Sequence, residues 1–146
     1  LSISKEQRMT YQYNAEIIRC VDGDTVDAWI DVGFDMRIKQ RLRLHGIDTP
    51  ETRTRDLTEK KVGMMAKARV RELLEVGETY PIWTVEKGKF GRYLAKIYLD
   101  DKRRRCVNDM LIKEDLAVPY TGQSKSAIHK LKSEMYDRLK AKGVKL

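Results

Sequence analysis

Residues 13–44, YNAEIIRCVDGDTVDAWIDVGFDMRIKQRLRL, decide the fold class that this chain is expected to adopt. Apolar and polar residues alternate with a period near two over residues 13–22, 26–32 and 36–44, which is typical of half-buried β-strands. Gly33 lies in a turn between the second and third segments, so these two are expected to form a long hairpin. The stretch therefore predicts three consecutive strands.

The rest of the chain contains both helical and strand patterns. Apolar residues recur at three- and four-residue steps from Val62 to Leu74, and Gly77 is placed to cap the C-terminus of this helix. The remaining predicted elements are strands at residues 80–85 and 93–99, helices at 107–116 and 126–142, and an exposed loop at 52–59. The basic residues of the last helix are expected largely to face water, namely Lys130, Lys132, Arg138 and Lys140.

This order of elements suits an α+β fold that is mainly β. It predicts a five-stranded Greek-key barrel of the OB type with three α-helices, the first of them between the third and fourth strands. Residues 1–10 are polar and without pattern, so we expect a flexible N-terminal arm followed by a single domain over residues 11–146. Such barrels often bind nucleic acid, but the fold alone does not assign an activity.

Charge is concentrated toward the C-terminus of the sequence. The formal net charge is +8, and residues 102–146 hold 12 Lys and Arg against 5 Asp and Glu. A basic surface attracts polyanions by releasing their condensed counterions, so nucleic acid is the leading class of partner. The alternative is a solvated basic face, and charge alone does not separate the two.

Two acidic clusters interrupt the strand pattern. Asp22-Gly23-Asp24-Thr25 joins the first two strands, and Asp48-Thr49-Pro50-Glu51-Thr52 follows the third. If these strands pair, carboxylates from both clusters can converge on one ion, and oxygen ligands without His or Cys favour calcium, magnesium or manganese. Each cluster also has a purely structural interpretation, as an Asp-Gly turn and as a helix N-terminal cap.

Two arginines favour the functional interpretation of these clusters. Arg43 lies just before the second cluster, and Arg92 follows Phe90-Gly91 between the fourth and fifth predicted strands. Guanidinium groups fork onto phosphate oxygens, as the charge that develops during phosphoryl transfer requires. The pattern thus indicates chemistry on a phosphodiester.

Three segments resemble the staphylococcal (micrococcal) nuclease, or thermonuclease, family. They are VDGDTV (Val21–Val26), RLHGIDTPET (Arg43–Thr52) and KFGRYLAKIY (Lys89–Tyr98), in the family's order and spacing. The resemblance covers roughly residues 13–140. Three departures are the Phe at position 90, where the best-known members carry Tyr, a hairpin over residues 24–43 that is longer by a few residues, and residues 123–126 in place of a Pro-containing stretch.

The resemblance implies a role for each matching residue. Asp24 and Asp48 match the calcium-ligating carboxylates, and Thr49 matches a ligand that contributes its backbone carbonyl. Arg43, Glu51 and Arg92 match the catalytic residues, with Glu51 acting on the attacking water. The remaining matches are Asp22 as an acid behind the metal site and Lys89, Phe90 and Tyr120 as nucleotide-binding residues.

The function implied is calcium-dependent hydrolysis of DNA and RNA with little sequence specificity, leaving 3′-phosphate ends. Single strands are the favoured substrate, because an open groove with little base readout suits them. The alternative is a non-catalytic nucleic-acid or protein-binding module on the same barrel. Such a module has no use for carboxylates beside its basic surface, since acids repel phosphate when no metal is bound.

The remaining expectations concern compartment and assembly. The sequence contains neither an evident signal peptide nor an apolar run long enough to span a membrane, so we expect no membrane partner. Cys20 and Cys106 lack metal-site or disulfide-framework spacing, which favours the cytoplasm over secretion. We expect the chain to act as a monomer.

Overall fold

The structure, a computed structural model, describes residues 11–87 and 92–146, except for the side chain of Glu86. Five strands close into a barrel in the order β1-β2-β3-β6-β5. Their bounds are Tyr11–Asp22 for β1, Thr25–Gly33 for β2, Met36–Leu44 for β3, Thr79–Lys87 for β5 and Tyr93–Ile97 for β6. Two short strands, β4 (Ile47–Asp48) and β7 (Val118–Pro119), pair beside the barrel.

Three helices accompany the strands in the described residues. They are α1 (Leu57–Leu73), α2 (Val107–Lys113) and α3 (Lys125–Ala141). The predicted fold class, a mainly β five-stranded barrel with three helices, is confirmed. The predicted arm at residues 1–10 lies outside the described residues, and the single domain over residues 11–146 stays a prediction.

The barrel closes through one parallel pair. Strands β3 and β6 run in the same direction, with Leu42 opposite Tyr93 and Leu44 opposite Ala95, whereas the other four barrel pairings are antiparallel. A parallel pair requires a long crossover connection, and here α1 and β5 lie in that connection.

The core fills the barrel and continues beneath the helices. Ile17, Leu42, Ile82 and Ile97 point inward from four strands, and each is at most 1% exposed. The helices cover the barrel with further buried residues, among them Val62, Ala66 and Val70 of α1, Leu111 of α2 and Met135 of α3. Apolar burial on this scale is the main favourable contribution to folding.

Asn108 attaches α2 to the barrel by hydrogen bonds. Its amide nitrogen donates to the carbonyl oxygens of His45 (2.9 Å) and Ala95 (3.0 Å), and its side-chain oxygen accepts from the Ile97 N–H at 3.2 Å. The residue is 1% exposed, and the bonds to Ala95 and Ile97 lie in the interior while the one to His45 is partly buried. They fix the backbone at the end of β3, where the second acidic cluster begins.

Four local predictions differ from the structure. Gly77 does not cap α1, because the C-cap is Leu74 and the Gly77 N–H donates to the Ile17 carbonyl at 2.8 Å. The loop expected at residues 52–59 ends earlier, because Asp56 caps α1 by accepting a hydrogen bond from the Glu59 N–H, and the helix starts at Leu57. The helix expected at residues 107–116 ends at Lys113, and Asp115 adopts a positive φ of 58°. A bulge between Ile17 and Arg19 changes the alternation in β1, which leaves Arg19 exposed and Cys20 buried.

In the part of the chain that the structure describes, every helix is too short or too polar to cross a membrane.

Helix α1 passes very close to the backbone of the second acidic cluster. A Cβ atom at Gly63 would lie 2.6 Å from the carbonyl oxygen of Pro50 and 2.7 Å from that of Glu51. Backbone atoms cannot move away as the end of a flexible side chain can. Glycine at position 63 therefore sets how closely α1 approaches residues 50 and 51.

Gly63→Ala should lower the free energy of unfolding by about 1–3 kcal/mol, because the added methyl group overpacks this contact. In an unobstructed helix the same change stabilises by up to ~1 kcal/mol, so the sign of the effect is diagnostic. Urea denaturation measures it, with Met64→Ala at the exposed neighbouring position as the control. A more stable Gly63→Ala variant would contradict the close approach.

Candidate active site

Arg43 joins the two acidic clusters. Its guanidinium nitrogens lie 3.6 Å from a carboxylate oxygen of Asp24 and 3.1 Å from one of Asp48. The three side chains are only 15–19% exposed. Because these ion pairs are shielded from water, they hold the geometry more firmly than exposed pairs would.

Strand pairing explains why these residues meet. Thr25 lies opposite Arg43 in the β2–β3 ladder, and the Leu44 N–H donates to the Asp24 carbonyl at 2.8 Å. Asp24 therefore lies beside the end of β3. The chain then turns at Gly46, with φ of 77°, and β4 returns Asp48 to the same place.

Thr49 lies behind the carboxylates, with only 2% of its surface exposed. A Cβ atom at Gly23 would lie 3.0 Å from the Thr49 hydroxyl oxygen and 2.9 Å from the Ala66 Cβ. The Asp22-Gly23-Asp24 turn thus packs directly onto Thr49 and α1, which brings the two predicted acidic clusters into contact. The Asp22 carboxylate also accepts a hydrogen bond from the Gly23 N–H at 3.1 Å.

The negative charges of the two acidic clusters act on Glu51. Desolvation of its carboxyl group, followed by the charges of Asp24, Asp22 and Asp48, raises the pKa of Glu51 above its ordinary value, and Lys132 acts in the opposite direction. The Glu51 N–H also donates to the Glu59 carboxylate at 3.3 Å. The four acids named from the sequence therefore form one region of negative potential.

Tyr120 lies against the same arginine. The Arg43 guanidinium carbon is 5.6 Å from the centre of the Tyr120 ring, within the range of a cation–π contact. The pairing of β4 with β7 produces this contact, and the Tyr120 N–H donates to the Gly46 carbonyl at 2.8 Å. The ring is 37% exposed, so one part of it stays open to solvent at the edge of the site.

Lys132 is the site residue that the sequence did not reveal. Its ammonium nitrogen lies 2.9 Å from the second carboxylate oxygen of Asp48, and the residue is only 8% exposed. The prediction that it faces water was wrong, because α3 packs with Lys132 on its inner side beside the apolar residues Ile128 and Met135. Lys132 lies four residues after Ile128 and three before Met135, and this helical spacing could have indicated from the sequence that Lys132 is on the buried face of α3.

For the remaining predicted residues, the structure gives the position of Arg92 only relative to β6 and does not describe Lys89 and Phe90. Arg92 directly precedes β6, whose first residue, Tyr93, lies opposite Leu42, the neighbour of Arg43 in β3. Lys89 and Phe90 fall in residues 88–91, outside the described residues. For these two positions the predicted roles stay predictions.

The ligand atoms that this site can offer are of the kind that a hard divalent cation binds. Asp24, Asp48 and the Thr49 carbonyl offer only oxygen. Desolvation raises the pKa of Glu51, and the charges of Asp24, Asp22 and Asp48 add to that rise; a bound cation would offset these charges. Within residues 11–87 and 92–146, no three His, Cys, Asp or Glu side chains form a metal-binding group. The predicted set is compatible with this, because its third ligand is a backbone carbonyl. Arg43 and Lys132 hold the Asp48 oxygens here, so a cation has to compete with them.

Comparison with known proteins identifies the family. Residues 41–145 match the sequence profile described as staphylococcal nuclease homologue. The chain belongs to this family. Two similar proteins of Bacillus subtilis (strain 168) are endonuclease YncB, 34% identical over 108 residues, and the SPbeta prophage-derived endonuclease YokF, 35% identical over 103 residues. The resemblance inferred from the three segments is thereby confirmed.

The alignments cover part of each protein. They include 71% of this chain and 46% of YncB, and 68% of this chain and 31% of YokF, so the chain spans less than half the length of these relatives. The staphylococcal nuclease homologue match begins at Arg41 and includes Arg43, Asp48, Glu51 and Arg92. Asp22 and Asp24 precede it, and the strand pairing described above brings them to the site.

Lys132→Met keeps most of the apolar stem but leaves one Asp48 oxygen without its cation. It should lower the free energy of unfolding by about 1–3 kcal/mol, because a largely buried carboxylate loses a partner. Lys130→Met, at an exposed position of the same helix, should change stability by less than about 0.5 kcal/mol. A double-mutant cycle of Lys132→Met with Asp48→Asn isolates the pair, and a coupling energy near zero would contradict the contact.

Proposed function

We propose that this protein is a calcium-dependent nuclease that hydrolyses phosphodiester bonds of nucleic acid. The observation that carries the proposal is the convergence of Asp24 and Asp48 on Arg43, with Glu51 in the electrostatic field of the same two acids. A site that only bound phosphate would place cations there without acids. Acids beside a phosphate-binding arginine are useful when a divalent cation neutralises them and the remaining carboxylate acts on water.

Asp24, Asp48 and the Thr49 carbonyl are the residues proposed to hold calcium. When bound, the cation would supply Lewis-acid activation of a phosphoryl oxygen. The oxygen-only donors favour this ion class, and the Arg43 and Lys132 contacts with Asp48 lead us to expect modest affinity in the absence of substrate. Asp22 would add negative charge behind these ligands.

Glu51 is the proposed base. It would orient the attacking water and accept its proton, because it lies beside the ligand carboxylates but is not one of them. Its raised pKa makes it a better proton acceptor than an ordinary glutamate.

Arg43 and Arg92 are the proposed phosphate-binding pair. Arg43 now pairs with Asp24 and Asp48, and those acids would release it to phosphate once another cation neutralises them. Arg92 directly precedes β6, the parallel partner of β3. Two forked donors from adjacent strands suit the charge that develops on the equatorial phosphoryl oxygens.

The substrate proposed is DNA and RNA, with single strands favoured and 3′-phosphate products, as in the family that the sequence resembles. Tyr120 offers an exposed ring edge beside Arg43 for a nucleotide, and Lys89 and Phe90 are proposed to assist it. YncB and YokF carry the name endonuclease, which supports this class of reaction.

Cation dependence tests the proposal directly. We expect cleavage of plasmid and single-stranded DNA with calcium, little with magnesium and none with EDTA. Calcium should also raise the melting temperature in the absence of DNA, since a ligand that binds only the folded state stabilises it. Undiminished cleavage in EDTA would rule out the metal mechanism.

Glu51→Gln and Arg92→Lys test the assigned roles. Glu51→Gln keeps the size but cannot accept a proton, and should lower kcat by about 10² or more. Arg92→Lys keeps the charge but loses the fork, and should lower kcat by about the same factor.

The controls are Glu75→Gln and Arg71→Lys, which make the same chemical changes at exposed positions. Both should cleave at the parental rate. If Glu51→Gln and Arg92→Lys also cleave at that rate, the active site lies elsewhere. If the parental chain binds DNA but never cleaves it, the binding-module alternative applies.

A further inference from the structure

A second cluster of cations lies on the outer face of the barrel, outside the candidate active site. It surrounds an open pocket of about 490 Å³ on strands β1, β2 and β3. We call it the Asp27 pocket, and its lining residues are Ile18, Arg19, Asp27, Lys39, Gln40 and Arg41. Three of the six are basic and one is acidic, so the lining carries a net positive charge.

Asp27 orients two arginines in this pocket. Arg41 donates to both of its carboxylate oxygens, at 2.8 and 3.2 Å, and Arg19 donates to one of them at 2.9 Å. The hydrogen bonds from Arg41, ahead of those from Arg19, hold the pKa of Asp27 below its ordinary value. Asp27 therefore stays ionised at neutral pH and keeps both guanidinium groups in place.

The cations themselves remain accessible to a ligand. The side chains of Arg19 and Arg41 are 61% and 46% exposed, whereas that of Asp27 is only 9% exposed. Lys39 is also exposed and lies on β3 two residues before Arg41. An anion approaching from solvent thus meets the positive groups first.

The pocket is aligned with the candidate active site along β3. Leu42 and Leu44 point into the core, so Lys39, Arg41 and Arg43 lie on the opposite, outer face of the strand. Residues two apart on one face of a strand are separated by about 6.6–7 Å. Consecutive phosphates of an extended single strand are spaced similarly, so one strand can place neighbouring phosphates against Arg43 and Arg41.

The row of basic side chains on the outer face of β3 continues beyond the pocket to Arg37. Lys39 lies opposite Trp29, and the Arg37 guanidinium carbon is 5.2 Å from the centre of the Trp29 ring. Cations in a row with a partly exposed aromatic ring are the usual means of holding single-stranded nucleic acid without reading its sequence.

We propose that the Asp27 pocket is a second phosphate-binding site for the nucleic-acid strand that is cleaved at the active site. Arg41 and Lys39 bind a backbone phosphate next to the scissile one, and Asp27 positions the guanidinium groups. This rests on the proposed nuclease function. A site of this kind favours longer strands over the shortest cleavable substrate.

The competing explanation is that Arg19, Asp27 and Arg41 only tie three strands together. Under that explanation, changing the cluster alters stability but does not affect how the protein distinguishes long from short substrates. The ratio of kcat/KM for the two lengths is therefore the decisive quantity, since a general loss of folded protein cancels in it.

The experiment compares a dinucleotide, which has one phosphodiester bond, with a single strand of about twelve nucleotides, within the site sizes known for OB folds. Lys39→Gln removes a charge without breaking an ion pair seen in the described residues, and Arg41→Lys keeps the charge but loses the fork. Lys113→Gln and Arg71→Lys are the matched controls at exposed helical positions.

We expect the parental protein to favour the longer strand, and the ratio to fall about three- to tenfold in Lys39→Gln and Arg41→Lys but not in the controls. An unchanged ratio in both pocket variants, or a parental protein that cleaves both lengths equally well, would overturn the second site while leaving the nuclease function intact. A parental protein that cleaves neither substrate would instead refute the proposed function.

Discussion

Arg43 places one guanidinium group between the carboxylates of Asp24, in the turn between β1 and β2, and Asp48, in β4. Without the Arg43 guanidinium, the carboxylates of Asp22, Asp24, Asp48 and Glu51 would repel one another more strongly at this site. Strand pairing alone sets their backbones, but opposite charge holds the side chains together. Gly23 packs on Thr49 and α1 packs on Pro50 beside these ion pairs.

Ion pairing with Asp48 also connects α3 to the site. Asp48 uses its second oxygen for Lys132, so the docking of α3 and the charge balance of the acids depend on each other. A resident lysine stabilises the protein without metal but competes with a divalent cation for Asp48. Stability and cation affinity are therefore expected to oppose each other at this one carboxylate.

Strand β3 carries Arg43, proposed to bind the scissile phosphate, and Arg41, proposed to bind the neighbouring one, on the same face. Its residues Leu42 and Leu44 are part of the core, its outward residues are basic, and its parallel partner β6 begins directly after Arg92. A strand is well suited to this arrangement because its side chains alternate strictly and its residues are evenly spaced. Substrate contacts on β3 are thus supported by the core that the same strand forms.

The sequence by itself determined the barrel, the two acidic clusters and their arginines, because period-two patterns and short motifs depend on neighbouring residues. It placed the last helix well but misjudged Lys132: the helical spacing with Ile128 and Met135 could have indicated that Lys132 is buried, but its partner Asp48 lies 84 residues away and no local pattern identifies it. The bulge that exposes Arg19 was missed for a related reason, because only the partner strand reveals an extra residue. Only the tertiary structure decided which charges meet, as ion pairs between distant residues depend on packing.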